Sequence, residues 1–342
     1  MSTDAETTSR LAPTGSTPTM RAAVYRRFGG PDVVAVERMP RPEPAAGEVL
    51  VRVSFASVSI ADHRVRSRDV PRGLKLPVSA ALGWRTPKHP VLGMDAAGTV
   101  EAVGTGVTAF APGDRVTLLL GARFGCHAEY VTISAGAAIA RIPDELSLEA
   151  AAALPFGFGT AQAYFDAAGP LAGKDVLVNG ASGAVGSAAV QLAARGGATV
   201  TGVTSAGNAE LVGDLGAARV IDHSSEDFAA EGRRYDVVVE CVGNAPHRRS
   251  VEALRWGGVL LLVITDLVGM IGAKLRPTRG GIRRIETVGA ITGPMLAGLV
   301  RRMAAGDLRP VIDRVYDLDD IVEAHTYVDT GRKRGTVLLR LG

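Results

Sequence analysis

Between positions 176 and 187 the chain reads VLVNGASGAVGS: apolar residues run into Gly180, Gly183 and Gly186, and a helix-forming stretch follows at once. Glycine tolerates the tight strand-to-helix turn this order demands. A turn bare of side chains also lets an anion reach the unpaired N–H groups that open a helix. The chemistry on offer is phosphate binding by the backbone, with Ala181, Ser182, Ala184 and Val185 completing the turn. The spacing is GxxGxxG, a looser match to the dinucleotide fingerprint than GxGxxG. The alternative is a plain turn whose glycines serve packing. The strand before, the helix after and the second strand TVTGVT at the expected distance favour the dinucleotide site.

Which dinucleotide depends on the end of that second strand. NAD enzymes usually carry an acid about twenty residues past the glycines to hold the ribose hydroxyls. Here Thr204, Ser205 and Asn208 occupy the region, and the next acid, Glu210, belongs to the following helical stretch. A carboxylate repels a 2′-phosphate, whereas hydroxyls and an amide can bond it. NADPH is therefore the expected cofactor, ahead of NADH; the competing reading is that these polar residues merely cap a helix.

Such residues need a frame to hold them. At 342 residues the chain exceeds one ordinary core and suits two domains. Hydrophobic residues make up 46% and charged residues 21%, the composition of a globular chain rather than a disordered or fibrous one. The net charge of +3 is small and its basic residues are spread out, so nucleic acid is not an expected partner. No apolar run is long enough to cross a bilayer, and no membrane partner is expected. Two cysteines, Cys126 and Cys241, cannot build a disulfide framework, which suits a reducing cytoplasm. Residues 1–20 hold Ser, Thr and Pro with Asp4 and Glu6, resemble neither a secretory signal nor a transit peptide, and read as a frayed, disordered tail.

From Met20 to about Ile142 short strands alternate with Gly and Pro turns: AAVYRRF, EVLVRVSFASV, GTVEAVG, DRVTLLL, AEYVTI. This predicts a mostly antiparallel β domain over 21–150. PDELSLEAAAALPFGFGTAQAYF then switches to helical spacing behind an Asp144 cap. Strands of about five apolar residues next alternate with helices, including one over HRRSVEALRWGG, which predicts an α/β fold with a doubly wound parallel sheet over 151–290. GGIRRIETVGAI could add a sixth strand. Residues 291–342 return to short strands around a helix and are expected to rejoin the N-terminal domain.

Taken in order, MRAAVYRRFGGPDVV, ASVSIAD at 56–62, PVLGMDAAGTVEAVG at 90–104, APGDRV, HAEYV, LPFGFGTA, NGASGAVGSAAVQLA and LRPVIDRVYDLDDIVEAH resemble the medium-chain dehydrogenase/reductase superfamily, particularly its zinc-free quinone oxidoreductase-like members. The resemblance implies a GroES-like substrate domain ahead of a Rossmann domain. It also places Thr160 beside the nicotinamide or its phosphates, and Cys241, Val242 and Gly243 close under the nicotinamide ribose. The plainer readings are a helix-cap hydroxyl for Thr160 and a buried, unreactive thiol for Cys241. A cytoplasmic homodimer is expected.

Departures from the family pattern bear on the chemistry. Zinc-dependent relatives carry a Cys three residues before the Asp of ASVSIAD, a Gly-His-Glu in the next motif and a Cys near LPFGFGTA; these positions here are Ser59, Gly93-Met94-Asp95 and approximately Phe156. Ser, Met and Phe cannot replace thiolate and imidazole around a tetrahedral zinc, so no metal is expected. Alcohol oxidation without a Lewis acid must find another way to hold an alkoxide, whereas an enone's β-carbon already accepts hydride and its enolate oxygen needs only hydrogen-bond donors. The expected activity is NADPH-dependent hydride transfer to a quinone, an enone or a related small conjugated carbonyl. The alternatives are a zinc-free alcohol dehydrogenase or carbonyl reductase, and a non-catalytic NADPH-binding scaffold or sensor.

The catalytic candidates are Ser59, Asp62 and Arg64. Ser59-Ile60 stands where the family has Asn-Pro, and Arg64 where it has Tyr or Lys. Arg64 could orient a carbonyl or an acidic substrate, or be a surface charge. Asp62 is expected to pair with an arginine such as Arg66. His63 could donate a proton or face solvent, His127 and Tyr130 are open to a core reading, and Arg332, Lys333 and Arg334 read as a solvated turn, with Thr336 where the family's Gly-His-x-x-Gly-Lys segment carries its Lys. VPRGLKLPVSAALGWRTPKHP at 70–90 suggests a lid, and 265–284 a second cleft wall or a subunit contact ahead of a membrane-surface patch.

Overall fold

A computed structural model describes residues 18–69, 79–80, 82–243, 247–264 and 279–342. The tail read at 1–20 lies outside the described residues up to position 17. So do 70–78 and 81 of the expected lid and 265–278 of the expected cleft wall.

EVLVRVSFASV forms the long strand β3 (Glu48–Val58), around which the first sheet is built. An antiparallel ribbon, β1 (Thr19–Tyr25) with β2 (Val34–Pro40), precedes it. The sheet has seven strands: β3, β4 (Asp95–Val103), β5 (Arg115–Leu119), β6 (Tyr130–Ser134), β7 (Ile139–Arg141), β14 (Ile312–Asp317) and β15 (Thr336–Arg340). Their order is β14-β15-β3-β4-β5-β7, with β6 also on β3, so the last strands of the chain lie beside the first long one. Val49, Val51, Val53, Leu118, Ile133 and Leu339 pack one core there. Helices α1 (Ile60–Ser67) and α8 (Ile321–Asp329) lie against each other at its edge.

The second sheet is parallel throughout: β8 (Asp175–Asn179), β9 (Thr199–Thr204), β10 (Arg219–Asp222), β11 (Tyr235–Glu240), β12 (Leu254–Leu262) and β13 (Arg283–Ile285), ordered β10-β9-β8-β11-β12-β13. Alternate residues of one strand serve opposite faces: Val176 and Val178 join one core while Leu177 joins the other, and Val237 and Val239 are split from Val238 in the same way. A strand buried on both faces has no polar face to show, which is why these segments read as unbroken apolar runs. The strand order reverses between β8 and β11, where open α/β sheets carry their ligands. The remaining helices are α2 (Leu148–Ala152), α3 (Pro155–Ala168), α4 (Ala184–Arg195), α5 (Ala209–Asp214), α6 (His247–Ala253) and α7 (Gly293–Ala304). Among the described residues no helix is long and apolar enough to cross a membrane.

Two expectations are corrected. The helix after residue 144 is capped by Ser147, whose hydroxyl accepts from the Ala150 amide, while Asp144 is exposed and pairs with Arg115. The helix expected over HRRSVEALRWGG ends at Ala253, and β12 starts at Leu254, in register with Tyr235 of β11. Gly257 takes a φ of +78°, and strand pairing outweighs the helical spacing of the preceding apolar residues.

Candidate cofactor and substrate site

β8 delivers the chain into the glycine turn, and the three glycines differ in what they do. Gly180 adopts a φ of +81°, and a Cβ there would lie 2.6 Å from the Val242 side chain. A Cβ on Gly186 would sit 2.0 Å from the Gly180 carbonyl oxygen, backbone against backbone. The protein's own packing requires these two. Gly183 is different: an added Cβ would find only the Gly180 oxygen, at 3.5 Å, so nothing in the chain forbids a side chain there. Its bareness keeps the space above the turn open. Gly183 is also the N-cap of α4 and offers no side-chain acceptor, so the first N–H groups of α4 are not capped by it.

At the ends of β8 and β9 the polar residues singled out from the sequence meet. Ser182 Oγ accepts from Thr204 Oγ1 at 2.9 Å and from Asn208 Nδ2 at 3.3 Å, and Asn208 Nδ2 also reaches Ser205 Oγ at 3.1 Å. Ser205 and Asn208 precede helical turns, yet neither side chain bonds a helix N–H, so the capping alternative is not realised. An uncharged cluster of hydroxyls and an amide remains.

Across the turn, Glu240 ends β11 buried among apolar residues. It accepts from Asn179 Nδ2 at 2.8 Å and from the amides of Val242 and Gly243 at 2.8 and 2.9 Å, which fixes the loop Cys241–Gly243 over Gly180. Burial beside Glu240 pushes the Cys241 thiol up, keeping it protonated. Sequence reading missed Glu240; the signal was an acid closing a run of valines. Thr160 is the sixth residue of α3, not a cap, and is half-buried. Gly157 lets the same helix approach the Ala184 carbonyl, where a Cβ would stand 2.7 Å away, so α3 abuts the first turn of α4.

The substrate-side candidates sit at the start of α1. Ser59 is its N-cap: its Oγ accepts from the amides of Ala61 and Asp62, and Asp62 Oδ2 accepts from the Ser59 amide at 2.7 Å and its hydroxyl at 2.8 Å. Asp62 Oδ1 accepts from the Gly93 amide at 2.8 Å. The expected Asp62–Arg66 pair is not made. Backbone donors satisfy Asp62, and Arg66, fully buried, reaches the Gly29 carbonyl and both oxygens of Asp329 on α8. His63 Nδ1 lies 2.7 Å from that same carboxylate. Arg64 is half-buried and makes no hydrogen bond or ion pair among the described residues; burial pulls its pKa below the ordinary arginine value. His127 is buried, with Nε2 2.8 Å from the Ser57 carbonyl, and its ring meets His325 edge-on at 5.8 Å. Tyr130 lies under the Arg41 guanidinium at the sheet surface.

Two further groups were named in the sequence without their burial being legible there. Asp95 opens β4 almost fully buried, accepting from Ser57 Oγ and, at 3.0 Å, from the Phe156 amide of α3. Burial raises it to about 7, and nearby Asp62 adds to the rise. Lys333 departs from the solvated-turn expectation: Arg332 and Arg334 are exposed, but Lys333 turns inward and donates to the Gly335 carbonyl at 2.6 Å. Burial lowers it to about 8.

A GroES-like β unit facing a six-stranded dinucleotide sheet, with a glycine turn at the switch point, defines an oxidoreductase architecture. Residues 45–144 match the family described as alcohol dehydrogenase GroES-like domain, and residues 215–339 the family described as zinc-binding dehydrogenase. A chloroplastic quinone oxidoreductase of Triphysaria versicolor is 32% identical over 94% of this chain and 98% of its own. The 2-methylene-furan-3-one reductase of Solanum lycopersicum is 31% identical over 94% of this chain and 79% of its own. Among solved structures, the quinone oxidoreductase from Coxiella burnetii superposes with a TM-score of 0.84 at 28% identity, covering 95% of this chain and all of that one. The chain belongs to the medium-chain dehydrogenase/reductase superfamily, whose members use a nicotinamide dinucleotide. The open turn at Gly183 suits that cofactor. Zinc does not suit the cleft: Met94 and Phe156 offer no thiolate or imidazole, and the Ser59 oxygen is engaged in capping.

Proposed function

We propose that the protein is an NADPH-dependent reductase of conjugated carbonyl compounds, quinones or enones, that works without zinc. The observation that carries this reading is the pairing of an uncharged Ser182–Thr204–Asn208 cluster beside an open glycine turn with a cleft whose zinc-ligand positions hold Ser59, Met94 and Phe156. The cluster offers donors to a 2′-phosphate and no carboxylate to repel it. The nearest carboxylate, Asp222, in register with Thr204 on β10, is engaged by the Ser224 hydroxyl and amide and by the Ala206 amide. The names of the relatives agree in chemistry, since a quinone and a 2-methylene-furan-3-one both place a carbonyl in conjugation with an alkene.

When bound, the cofactor supplies hydride. The chain's residues position and stabilise. The N–H groups of Gly180, Ala181 and Gly183 are spent on backbone carbonyls, so the phosphates are held by those that open α4, from Ala184 to Gly186, and Thr204, Ser205 and Asn208 hold the adenosine ribose. Thr160 and the Cys241–Gly243 loop line the nicotinamide end. Ser59 and Asp62, locked by Gly93, form the cleft floor. Arg64, which makes no hydrogen bond or ion pair among the described residues, orients the substrate carbonyl and offsets charge developing on its oxygen.

The test is cofactor oxidation by purified protein across quinones, enones and simple ketones, with NADPH and NADH in parallel and metal analysis of the same sample. Turnover of quinones or enones with NADPH is expected. Activity confined to simple ketones, or stoichiometric zinc required for activity, overturns the reading.

A further inference from the structure

Glu240 closes β11 at the carboxyl end of the parallel sheet, in register with Asn179 of β8 and Leu262 of β12, and is almost fully buried. Its partners are Asn179 Nδ2 and the amides of Val242 and Gly243. All three donate, so none accepts a carboxyl proton, and the set suits an ionised carboxylate. All three are also neutral: Glu240 makes no ion pair with Lys, Arg or His among the described residues. Its negative charge is felt next door, where it adds to the burial that keeps the Cys241 thiol protonated. Buried carboxylates are ordinarily paired with a cation, because neutral donors offset only part of the cost of taking the charge out of water. Holding the loop does not call for the charge, since a glutamine would offer the same oxygen to the Val242 and Gly243 amides. The charge itself is left without a structural use.

One positive charge arises beside this loop. On the function proposed above, Cys241, Val242 and Gly243 line the nicotinamide end of the cofactor, and Val242 presents an exposed apolar side chain next to Gly180. A reduced nicotinamide ring is neutral; once its hydride has passed to the conjugated substrate the ring is a cation, and the substrate's oxygen carries the negative charge until water protonates it. We propose that Glu240 is an electrostatic positioning residue, a fixed buried anion that favours the cationic, oxidised ring over the neutral, reduced one and so makes the bound cofactor a stronger hydride donor. The assignment rests on the dinucleotide reading above and adds to it a group that acts across the Cys241–Gly243 loop rather than by contact. Because the carboxylate is buried, neither water nor salt screens it as they would a surface charge. The pyrophosphate is common to both forms of the cofactor, so its repulsion by Glu240 cancels between them.

Dissociation constants of NADPH and NADP⁺ are measured by titration without substrate, for full-length wild type, Glu240→Gln, Glu240→Ala and Glu240→Asp, and the quantity read is the Kd of NADP⁺ divided by that of NADPH. Removing the charge is expected to raise this ratio about 10-fold in Glu240→Gln, at low and high salt alike. Glu240→Ala, which also releases the loop, should weaken both forms yet raise the ratio as much, so either uncharged variant decides the matter if the other fails to fold. Glu240→Asp keeps the charge on a shorter side chain and should leave the ratio within about twofold of wild type. Adenosine 2′,5′-bisphosphate, which has no nicotinamide, should bind wild type and Glu240→Gln equally. A ratio unchanged in the uncharged variants overturns the proposal and leaves Glu240 as a clamp on the loop. So does a ratio that rises in Glu240→Asp as far as in Glu240→Gln, which marks geometry rather than charge. If wild type binds neither NADPH nor NADP⁺, the dinucleotide reading itself fails and takes the assignment with it.

Discussion

β3 into α1 and β8 into α4 are both strand-to-helix corners at the cleft, and they dispose of the same backbone donors in opposite ways. At the first corner Ser59 and Asp62 close a capping box, so the helix-opening N–H groups are consumed by the chain's own side chains. At the second the N-cap is Gly183, with no side-chain acceptor and open space above it. The first corner is closed by its own side chains; the second, on the function proposed above, is completed by the cofactor's phosphates. A helix start becomes an anion site when the chain declines to cap it, and the sign of that choice is one residue.

If the first corner is structural, damaging its supports should cost stability and leave cofactor affinity alone. The largest effect is expected for Arg66→Met. It strips Asp329 of a fully buried guanidinium that reaches both its oxygens and leaves His63 as its remaining partner, a loss of about 3 kcal/mol. Urea unfolding gives the stability, and titration of the folded fraction gives the affinity. Weaker cofactor binding at unchanged stability would falsify the assignment of α1 to scaffolding.

Asp95 ties the first corner to α3, bonded to β3 through Ser57 and to α3 through the Phe156 amide. Its folded pKa, about 7, stands above the 3.8 of a free aspartate. The protonated carboxyl is therefore the form the fold favours. Its contribution is full below about pH 4, declines as pH rises while the unfolded chain ionises and the folded one does not, and levels off above about 7. The slope is about 1.4 kcal/mol per pH unit. Asp95→Asn removes the titration, so the stability of wild type relative to the variant should fall between pH 4 and 7 and stay flat beyond. A difference independent of pH would remove the protonated carboxyl from the account.

The same contrast explains what could be read from the sequence. The shape of the glycine turn was legible because it is fixed by local spacing: Gly180 takes a left-handed φ, and a Cβ on Gly186 would meet the Gly180 carbonyl. The parallel sheet was legible for a similar reason, its doubly buried strands writing themselves as apolar runs such as YDVVVE. Side-chain partners were not. Asp62 bonds Gly93 instead of Arg66, and Arg66 crosses to Asp329 on α8, partners distant in the chain and invisible to spacing. Asp95 itself was passed over as a degraded zinc motif, because its significance lies in burial rather than in its neighbours.

Gly183→Ser makes the second corner resemble the first. The backbone there is extended, φ −78° and ψ 175°, and accepts a serine without strain, and the hydroxyl can then cap α4. Stability should rise by a few tenths of a kcal/mol while cofactor affinity falls about tenfold, near 1.4 kcal/mol. Gly183→Ala should lose affinity without the gain. Unchanged binding in both variants would place the phosphates elsewhere.

The smallest effect is expected where charge is most exposed to water, and it sharpens the cofactor preference. Asn208→Asp puts a carboxylate into the Ser182–Thr204–Ser205 cluster at the position whose amide now bonds two hydroxyls. An acid there accepts from ribose hydroxyls and repels a 2′-phosphate, so the preference for NADPH over NADH should shrink. Solvent screens a partly exposed charge, which limits the change to about threefold to fivefold, under 1 kcal/mol. The readout is the ratio of kcat/KM for the two cofactors at low and high salt. Repulsion predicts a larger shift at low ionic strength, whereas a loss of packing would be independent of salt. A salt-independent fall with both cofactors would show that Asn208 shapes the loop and does not read the phosphate.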